Sequence, residues 1–80
     1  MSSDKMLKMV GMANQIAAYF RAMPDDEALS GAAAHLRLYW TPKMRGEIIA
    51  FVEEGGKGLD PLAARAVREL ARMPSAKLSG

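Results

Sequence analysis

Apolar residues recur at three- and four-residue steps along most of the chain, and this spacing predicts four short helices. The first segment ends before Pro24, and its apolar face consists of Met6, Met9, Val10, Ala13, Ile16, Ala17 and Phe20. The second follows the acidic run 25–27, and its face consists of Leu29, Ala32, Ala33, Leu36 and either Tyr39 or Trp40. No segment alternates with period two over a useful length, so we expect no strand.

Two helices have clear start signals, because Thr41-Pro42 and Asp60-Pro61 each place a capping residue before a proline. The buried stripes that follow are Met44, Ile48, Phe51 and Val52, then Leu62, Ala66, Val67, Leu70 and Met73. Gly55-Gly56 suits the end of the third helix. The sequence therefore predicts an all-α fold, a small four-helix domain with short loops. We expect the domain to span residues 1–74 and residues 75–80 to form a flexible tail.

Charged residues are missing from long parts of the first two helices. None occurs between Lys8 and Arg21, and between Glu27 and Arg37 only His35 can titrate. A helix that is apolar on most sides is usually buried on more than one side, and an 80-residue monomer is too small to enclose one. We therefore expect these two helices to pack against each other and also against a partner.

Composition and charge exclude several classes of protein. The chain has no cysteine, which removes disulfides, thiolate nucleophiles and iron–sulfur ligation. Its net charge of +2 is too small to indicate a nucleic acid or an anionic membrane as partner. The longest charge-free run, 9–20, is shorter than a membrane span, and the first residues lack the pattern of a signal peptide. These features predict a soluble, intracellular protein.

No set of residues in the sequence forms a recognisable catalytic or metal site. His35 has no carboxylate or nucleophile at a helical spacing that would pair with it. The run 55–58 is glycine-rich but lacks the preceding strand and the Gly-Lys-Ser/Thr ending of a phosphate-binding loop. Arg65, Arg68 and Arg72 share one face of the fourth helix, with Glu69 placed to pair with Arg65. This face is either a solvated surface or a docking patch for an acidic partner.

The same segments, taken in order, resemble the δ subunits of soluble, molybdenum- or tungsten-dependent, NAD-linked formate dehydrogenases. The resemblance begins with Asp4-Lys5-Met6-Leu7 and continues through 12–20. Its most recognisable stretch is His35-Leu36-Arg37-Leu38-Tyr39-Trp40-Thr41-Pro42-Lys43-Met44-Arg45, and 55–62 resembles the family's glycine-rich loop and final helix start. The similarity covers roughly residues 4–70. Thr41 departs from the aspartate expected in many members, but both residues cap helices.

The resemblance implies a cytoplasmic complex in which this chain is a non-catalytic accessory subunit. A large α subunit would oxidise formate at a bis-molybdopterin guanine dinucleotide centre, and iron–sulfur clusters would pass electrons to a part that binds FMN and NAD. This chain would bind none of these cofactors. It would attach to the large subunit and support assembly, stability, or insertion or retention of the molybdenum cofactor, without contacting nucleic acid or membrane.

On this interpretation we expect the partner to contact six residues, namely Asn14, Gln15, Tyr19, His35, Trp40 and Arg45. The two amides stand out because an amide in an apolar segment costs free energy unless it is hydrogen-bonded. Two alternatives remain open. One is a homo-oligomeric helical interaction module. The other is a helix-turn-helix DNA-binding regulator whose third helix would carry Lys43 and Arg45 near its start.

Overall fold

The computed structural model describes residues 4–73. They form four helices and no strand: α1 (Asp4–Phe20), α2 (Asp25–Tyr39), α3 (Pro42–Glu53) and α4 (Pro61–Arg72). The all-α prediction and the order of the four helices are confirmed. The tail predicted at 75–80 lies outside the described residues.

The helix starts follow the local signals that the sequence carries. The Thr41 hydroxyl accepts a hydrogen bond from the Met44 N–H at 3.1 Å. The Asp60 carboxylate accepts one from the Leu62 N–H at 2.8 Å. Each cap thereby satisfies an N–H that has no partner inside its own helix. Prolines at the first position of α3 and α4 lack an N–H that would otherwise need one.

Helix α3 ends at a glycine pair with left-handed backbone geometry. Gly55 and Gly56 have φ angles of 122° and 62°, which glycine adopts without the steric cost of a Cβ. Their N–H groups donate to the carbonyls of Val52 and Phe51, both at 3.0 Å. These bonds satisfy carbonyls of the last turn and send the chain towards α4.

The core lies where all four helices meet, and α2 packs most extensively against α4 and then against α1. The predicted stripes supply most of it. Its buried members are Met9, Ala13, Ala17, Ala32, Ala33, Leu36, Trp40, Ile48, Val52, Ala63, Ala66, Val67 and Leu70. The structure decides the choice that the sequence left open at the end of α2, because Trp40 is buried and Tyr39 is exposed.

None of the helices among residues 4–73 is both long enough and apolar enough to cross a membrane.

Candidate functional site

An open groove of about 710 Å³ runs between α1 and α2. The α1 side and the turn after it contribute Met12, Gln15, Ile16, Tyr19, Phe20 and Met23, and the α2 side contributes His35, Tyr39 and Trp40. None of the lining residues among residues 4–73 is an aspartate, glutamate, lysine or arginine. The groove is therefore a mostly apolar surface with hydroxyl, amide and imidazole groups at a few points.

Four aromatic rings form a continuous row along this groove. The rings of Tyr19 and Phe20 meet edge to face with centroids 5.0 Å apart. The Phe20 ring lies 6.3 Å from that of His35, which in turn lies 4.6 Å from the ring of Tyr39. Such contacts favour particular relative orientations of the rings. The fold itself therefore brings the four rings together.

The two tyrosines expose most of their surface, at 71% for Tyr19 and 73% for Tyr39. Met12 and Met23 are also exposed, which leaves several large apolar side chains close together on one surface. Contiguous exposed apolar surface of this kind is typical of a protein-binding or ligand-binding site. Tyrosine and methionine are also residue types enriched in protein interfaces.

Phe20 is held in the groove by a close approach to α2. Its ring packs on Gly31, where a Cβ would lie 2.5 Å from Cε1 of the ring. Glycine is the residue that lets the ring come this close to the helix backbone. The sequence shows Gly31 only as a helix-weakening residue, so its role is visible in the structure alone.

Four of the six residues predicted to contact a partner lie together at the groove, namely Gln15, Tyr19, His35 and Trp40. Three of them contribute accessible surface, whereas Trp40 is 5% exposed and forms the floor. Sequence reasoning did not single out the other five groove residues, which are Met12, Ile16, Phe20, Met23 and Tyr39. The charge-free stretch of α1 is the signal that pointed to this surface.

Asn14 lies away from the groove and its side chain is used inside the chain. Its Nδ2 donates to the Gly58 carbonyl at 3.0 Å, and its Oδ1 accepts from the Asp60 N–H at 2.8 Å. The amide thus ties α1 to the α3–α4 loop. Its predicted contact with a partner stays a prediction.

Arg45 also binds within the chain, at the end of α2. Its Nη1 donates to the carbonyls of Arg37 at 2.5 Å and Trp40 at 3.1 Å. A cation at this position satisfies terminal carbonyls and opposes the negative end of the helix dipole. Its predicted partner contact likewise stays a prediction. Because the guanidinium is engaged, it is less available to read DNA from α3.

The arginine face of α4 is partly neutralised by ion pairs. Arg65 pairs with Asp25 of α2 at 3.8 Å, and Arg72 pairs with Glu69. The sequence predicted that Glu69 would pair with Arg65. In the structure Arg65 pairs with Asp25 instead, because α4 packs against α2. Arg68 has no ion pair among residues 4–73. This face is therefore less basic than its sequence indicates.

The described residues offer no site for a metal ion, since residues 4–73 contain no group of three or more histidine, cysteine, aspartate or glutamate side chains able to hold one. Among the same residues, the rings that contact His35 are those of Phe20 and Tyr39. In the described part of the chain, the ring of His35 thus lies between two other aromatic rings.

Most of the chain matches a known protein family. Residues 8–67 match the protein family described as NADH-dependent formate dehydrogenase delta subunit FdsD. No curated protein and no solved structure matches the chain. The matched region spans α2 and α3 completely and parts of α1 and α4, and it includes the groove, both capped helix starts and the loop held by Asn14. Because the match covers most of its length, the chain belongs to the FdsD family of formate dehydrogenase delta subunits.

Proposed function

We propose that this chain is a non-catalytic accessory subunit of an NAD-dependent formate dehydrogenase and that it binds the large, molybdopterin-bearing α subunit. The groove between α1 and α2 is its docking surface. Binding there supports assembly and stability of the complex, or insertion or retention of the molybdenum cofactor. The complex works in the cytoplasm on this proposal.

One observation carries the proposal: a member of the delta-subunit family exposes an uncharged aromatic groove. Solvent-exposed aromatic and thioether side chains lose unfavourable contact with water when a partner covers them. The fold already brings their rings together, which lowers the cost of assembling them on binding. These two features favour a stable protein contact.

We also propose that this chain binds none of the cofactors of such a complex. An iron–sulfur cluster requires thiolate ligands in most proteins, and the sequence contains no cysteine. The described residues hold no cluster of other metal-binding side chains. We therefore assign the iron–sulfur clusters to other subunits, and we propose that the bis-molybdopterin guanine dinucleotide, FMN and the NAD site lie there as well.

A second candidate function is a homo-oligomeric interaction module, because the same exposed groove would also be covered if two copies paired. Light scattering on the isolated chain separates the two functions. If the isolated chain is a monomer at the concentration at which the complex is purified, the accessory-subunit proposal is supported. A stable dimer that does not bind the large subunit supports the homo-oligomeric module.

The proposal is tested by recovering the complex through a tag on this chain. The groove variant carries Tyr19→Ala and Tyr39→Ala, and the control carries Leu7→Ala and Leu38→Ala. Leu7 and Leu38 are exposed to a similar extent, at 61% and 68%, but lie outside the groove. The readouts are recovery of the large subunit and formate-dependent reduction of NAD.

Removing two aromatic anchors from an interface is expected to lower recovery at least tenfold, because each typically contributes more than about 1 kcal/mol. The unaltered chain and the control should recover the large subunit equally. Equal recovery by all three would show that the groove is not the docking surface. Failure of the unaltered chain to recover any formate dehydrogenase subunit would overturn the proposed function itself.

A further inference from the structure

The groove contains the most exposed methionines of the described part of the chain. Met12 and Met23 line it and are 42% and 38% exposed. Met9, three residues before Met12 on α1, is only 3% exposed and belongs to the core. The other methionines among residues 4–73 are half-buried against the core, namely Met6, Met44 and Met73. The thioethers of this region that solvent reaches most freely therefore both belong to the groove.

Methionine provides all of the sulfur in this chain. The sequence has seven methionines and no cysteine. Peroxides oxidise a thioether to a sulfoxide, and two reductases, one for each sulfoxide epimer, return it to the thioether. Because the oxidant must reach the sulfur, Met12 and Met23 should react before the methionines of the core.

The reaction with hydrogen peroxide is a two-electron oxygen transfer. A lone pair of the methionine sulfur attacks one peroxide oxygen, so that an S–O bond forms and the O–O bond breaks. The sulfur is oxidised to a sulfoxide. The departing oxygen is reduced and leaves as water after it takes up the proton of the transferred oxygen. Each methionine thus consumes one peroxide and releases one water, and no other reactant is required.

A sulfoxide changes the surface of the groove. It carries a polar oxygen that accepts hydrogen bonds, where the thioether was apolar. In the free chain this oxygen stays hydrated, because Met12 and Met23 are both exposed. A partner that covers the groove removes this hydration. Burying a polar group without a hydrogen bond is expected to weaken binding about tenfold or more.

Building on the proposed function, we propose that Met12 and Met23 form a reversible oxidation site through which peroxide controls docking of the large subunit. The reduced chain docks, and the sulfoxide form does not. Once the large subunit covers the groove, both thioethers are shielded from peroxide. The site therefore acts on the free chain, before it joins the complex.

The first experiment measures which methionines of the isolated, folded chain react. The chain is treated with increasing amounts of hydrogen peroxide, and each methionine is quantified by peptide mass spectrometry. Fragment spectra separate Met9 from Met12, because no lysine or arginine lies between them. Met12 and Met23 should form sulfoxides several-fold faster than Met9 and Met44. Equal rates at all of these positions would overturn the inference.

The second experiment asks whether oxidation blocks docking. The tagged chain is treated with peroxide, freed of peroxide with catalase and mixed with formate dehydrogenase prepared without this chain. Recovery of the large subunit should fall about tenfold or more relative to the untreated chain. Both sulfoxide reductases together should restore recovery, since they remove the added oxygen from either epimer.

Two double variants test whether the effect belongs to the groove. In Met12→Leu with Met23→Leu, leucine keeps the apolar volume but has no sulfur to oxidise. In Met44→Leu with Met73→Leu, two thioethers outside the groove are removed and the groove keeps its own. Each variant is compared with its own untreated preparation, so any direct effect of leucine cancels. Peroxide should leave recovery by the first variant unchanged and should lower recovery by the second as in the unaltered chain.

The outcomes separate this inference from the proposed function. Recovery that peroxide does not change, or that falls equally in Met12→Leu with Met23→Leu, would overturn the inference while recovery of the large subunit still supports the function. Equal rates of sulfoxide formation at Met12 and Met23 in the free chain and in the assembled complex would also overturn it. If the untreated, unaltered chain recovers no large subunit, the proposed function fails and the inference fails with it.

Discussion

Asn14 joins two parts of the chain that lie far apart in sequence. Its amide reaches the carbonyl of Gly58 and the N–H of Asp60, both in the connection before α4. The cost of placing an amide in the apolar α1 is thereby offset by two hydrogen bonds to a loop. The pattern of the sequence shows that such an amide needs partners, but it does not show whether they belong to the same chain.

We expect Asn14→Ala to lower the free energy of unfolding by about 1–3 kcal/mol, because it leaves the Gly58 carbonyl and the Asp60 N–H without their partner. Gln15→Ala is the control. Its exposed amide lies one residue away, and its loss should change the free energy by no more than about 0.5 kcal/mol. Urea denaturation of the isolated chain measures both, and equal values would contradict the role assigned to Asn14.

Asp60 makes stability depend on pH. Partial burial raises the pKa of its carboxyl, but hydrogen bonds from Arg21 and the Leu62 N–H, together with the charge of Arg21, bring the net pKa below its ordinary value. A lowered folded-state pKa stabilises the fold at pH values above the unfolded-state pKa of about 4. This contribution is lost as the pH falls through the folded-state pKa.

We therefore expect the free energy of unfolding to fall as the pH is lowered from about 5 to below 4. Asp60→Asn should show a smaller fall, since asparagine keeps the helix cap but cannot form the ion pair with Arg21. Asp26→Asn, which alters an exposed acid without an ion pair in the described region, should follow the unaltered chain. Chemical denaturation at a series of pH values measures this. If the free energy of unfolding of Asp60→Asn fell with pH as steeply as that of the unaltered chain, the role assigned to the Asp60 carboxylate would be contradicted.

At the scale of helices, the sequence predicted where helices begin better than it predicted which residues of different helices contact each other. Thr41 with Pro42 and Asp60 with Pro61 place the starts of α3 and α4 correctly, because capping depends on residues within one turn. The choice between Tyr39 and Trp40 depends on where the chain turns into α3, which periodicity does not specify. The same limit applies to the acceptors of Arg45 and to the contact of Phe20 with Gly31, which are tertiary contacts.

Two helical glycines should respond in opposite ways to alanine. At Gly46 of α3 an added Cβ would have nothing within 4 Å, so Gly46→Ala should stabilise the fold by up to about 1 kcal/mol through helix propensity. At Gly31 the Cβ would displace the Phe20 ring, and overpacking of about 1–3 kcal/mol should cancel or exceed that gain. Midpoints of urea unfolding compare the two variants. An equal increase in both would show that the ring moves aside freely.

The four-helix body formed by the described residues is a thin slab with extents of 35 × 33 × 19 Å. A thickness of 19 Å accommodates two helix layers, since one helix with its side chains is about 10–12 Å across. Each helix therefore has a side that no other layer of the chain covers. The missing charges on α1 and α2 predicted an uncovered apolar surface, and the shape of the molecule explains why folding alone does not bury it.

The core of this slab is built largely from small side chains. Among residues 4–73, seven of the fourteen buried hydrophobic residues are alanines, and the largest fully buried side chains are Leu36, Ile48 and Val67. Since the hydrophobic contribution scales with the apolar area removed from water, an alanine-rich core contributes little per residue. The isolated chain should consequently have low stability, and a bound partner should raise it by mass action.

Amide hydrogen exchange tests this coupling between stability and binding. In complex with the large subunit at a hundred times the dissociation constant, the free energy of global unfolding should rise by about 2.7 kcal/mol, which slows the most protected amides about 100-fold. Tyr19→Ala with Tyr39→Ala should show a much smaller gain under the same conditions, whereas Leu7→Ala with Leu38→Ala should match the unaltered chain. Core amides that exchange at the same rate in the free chain and in the complex would show that binding contributes nothing to the stability of this fold.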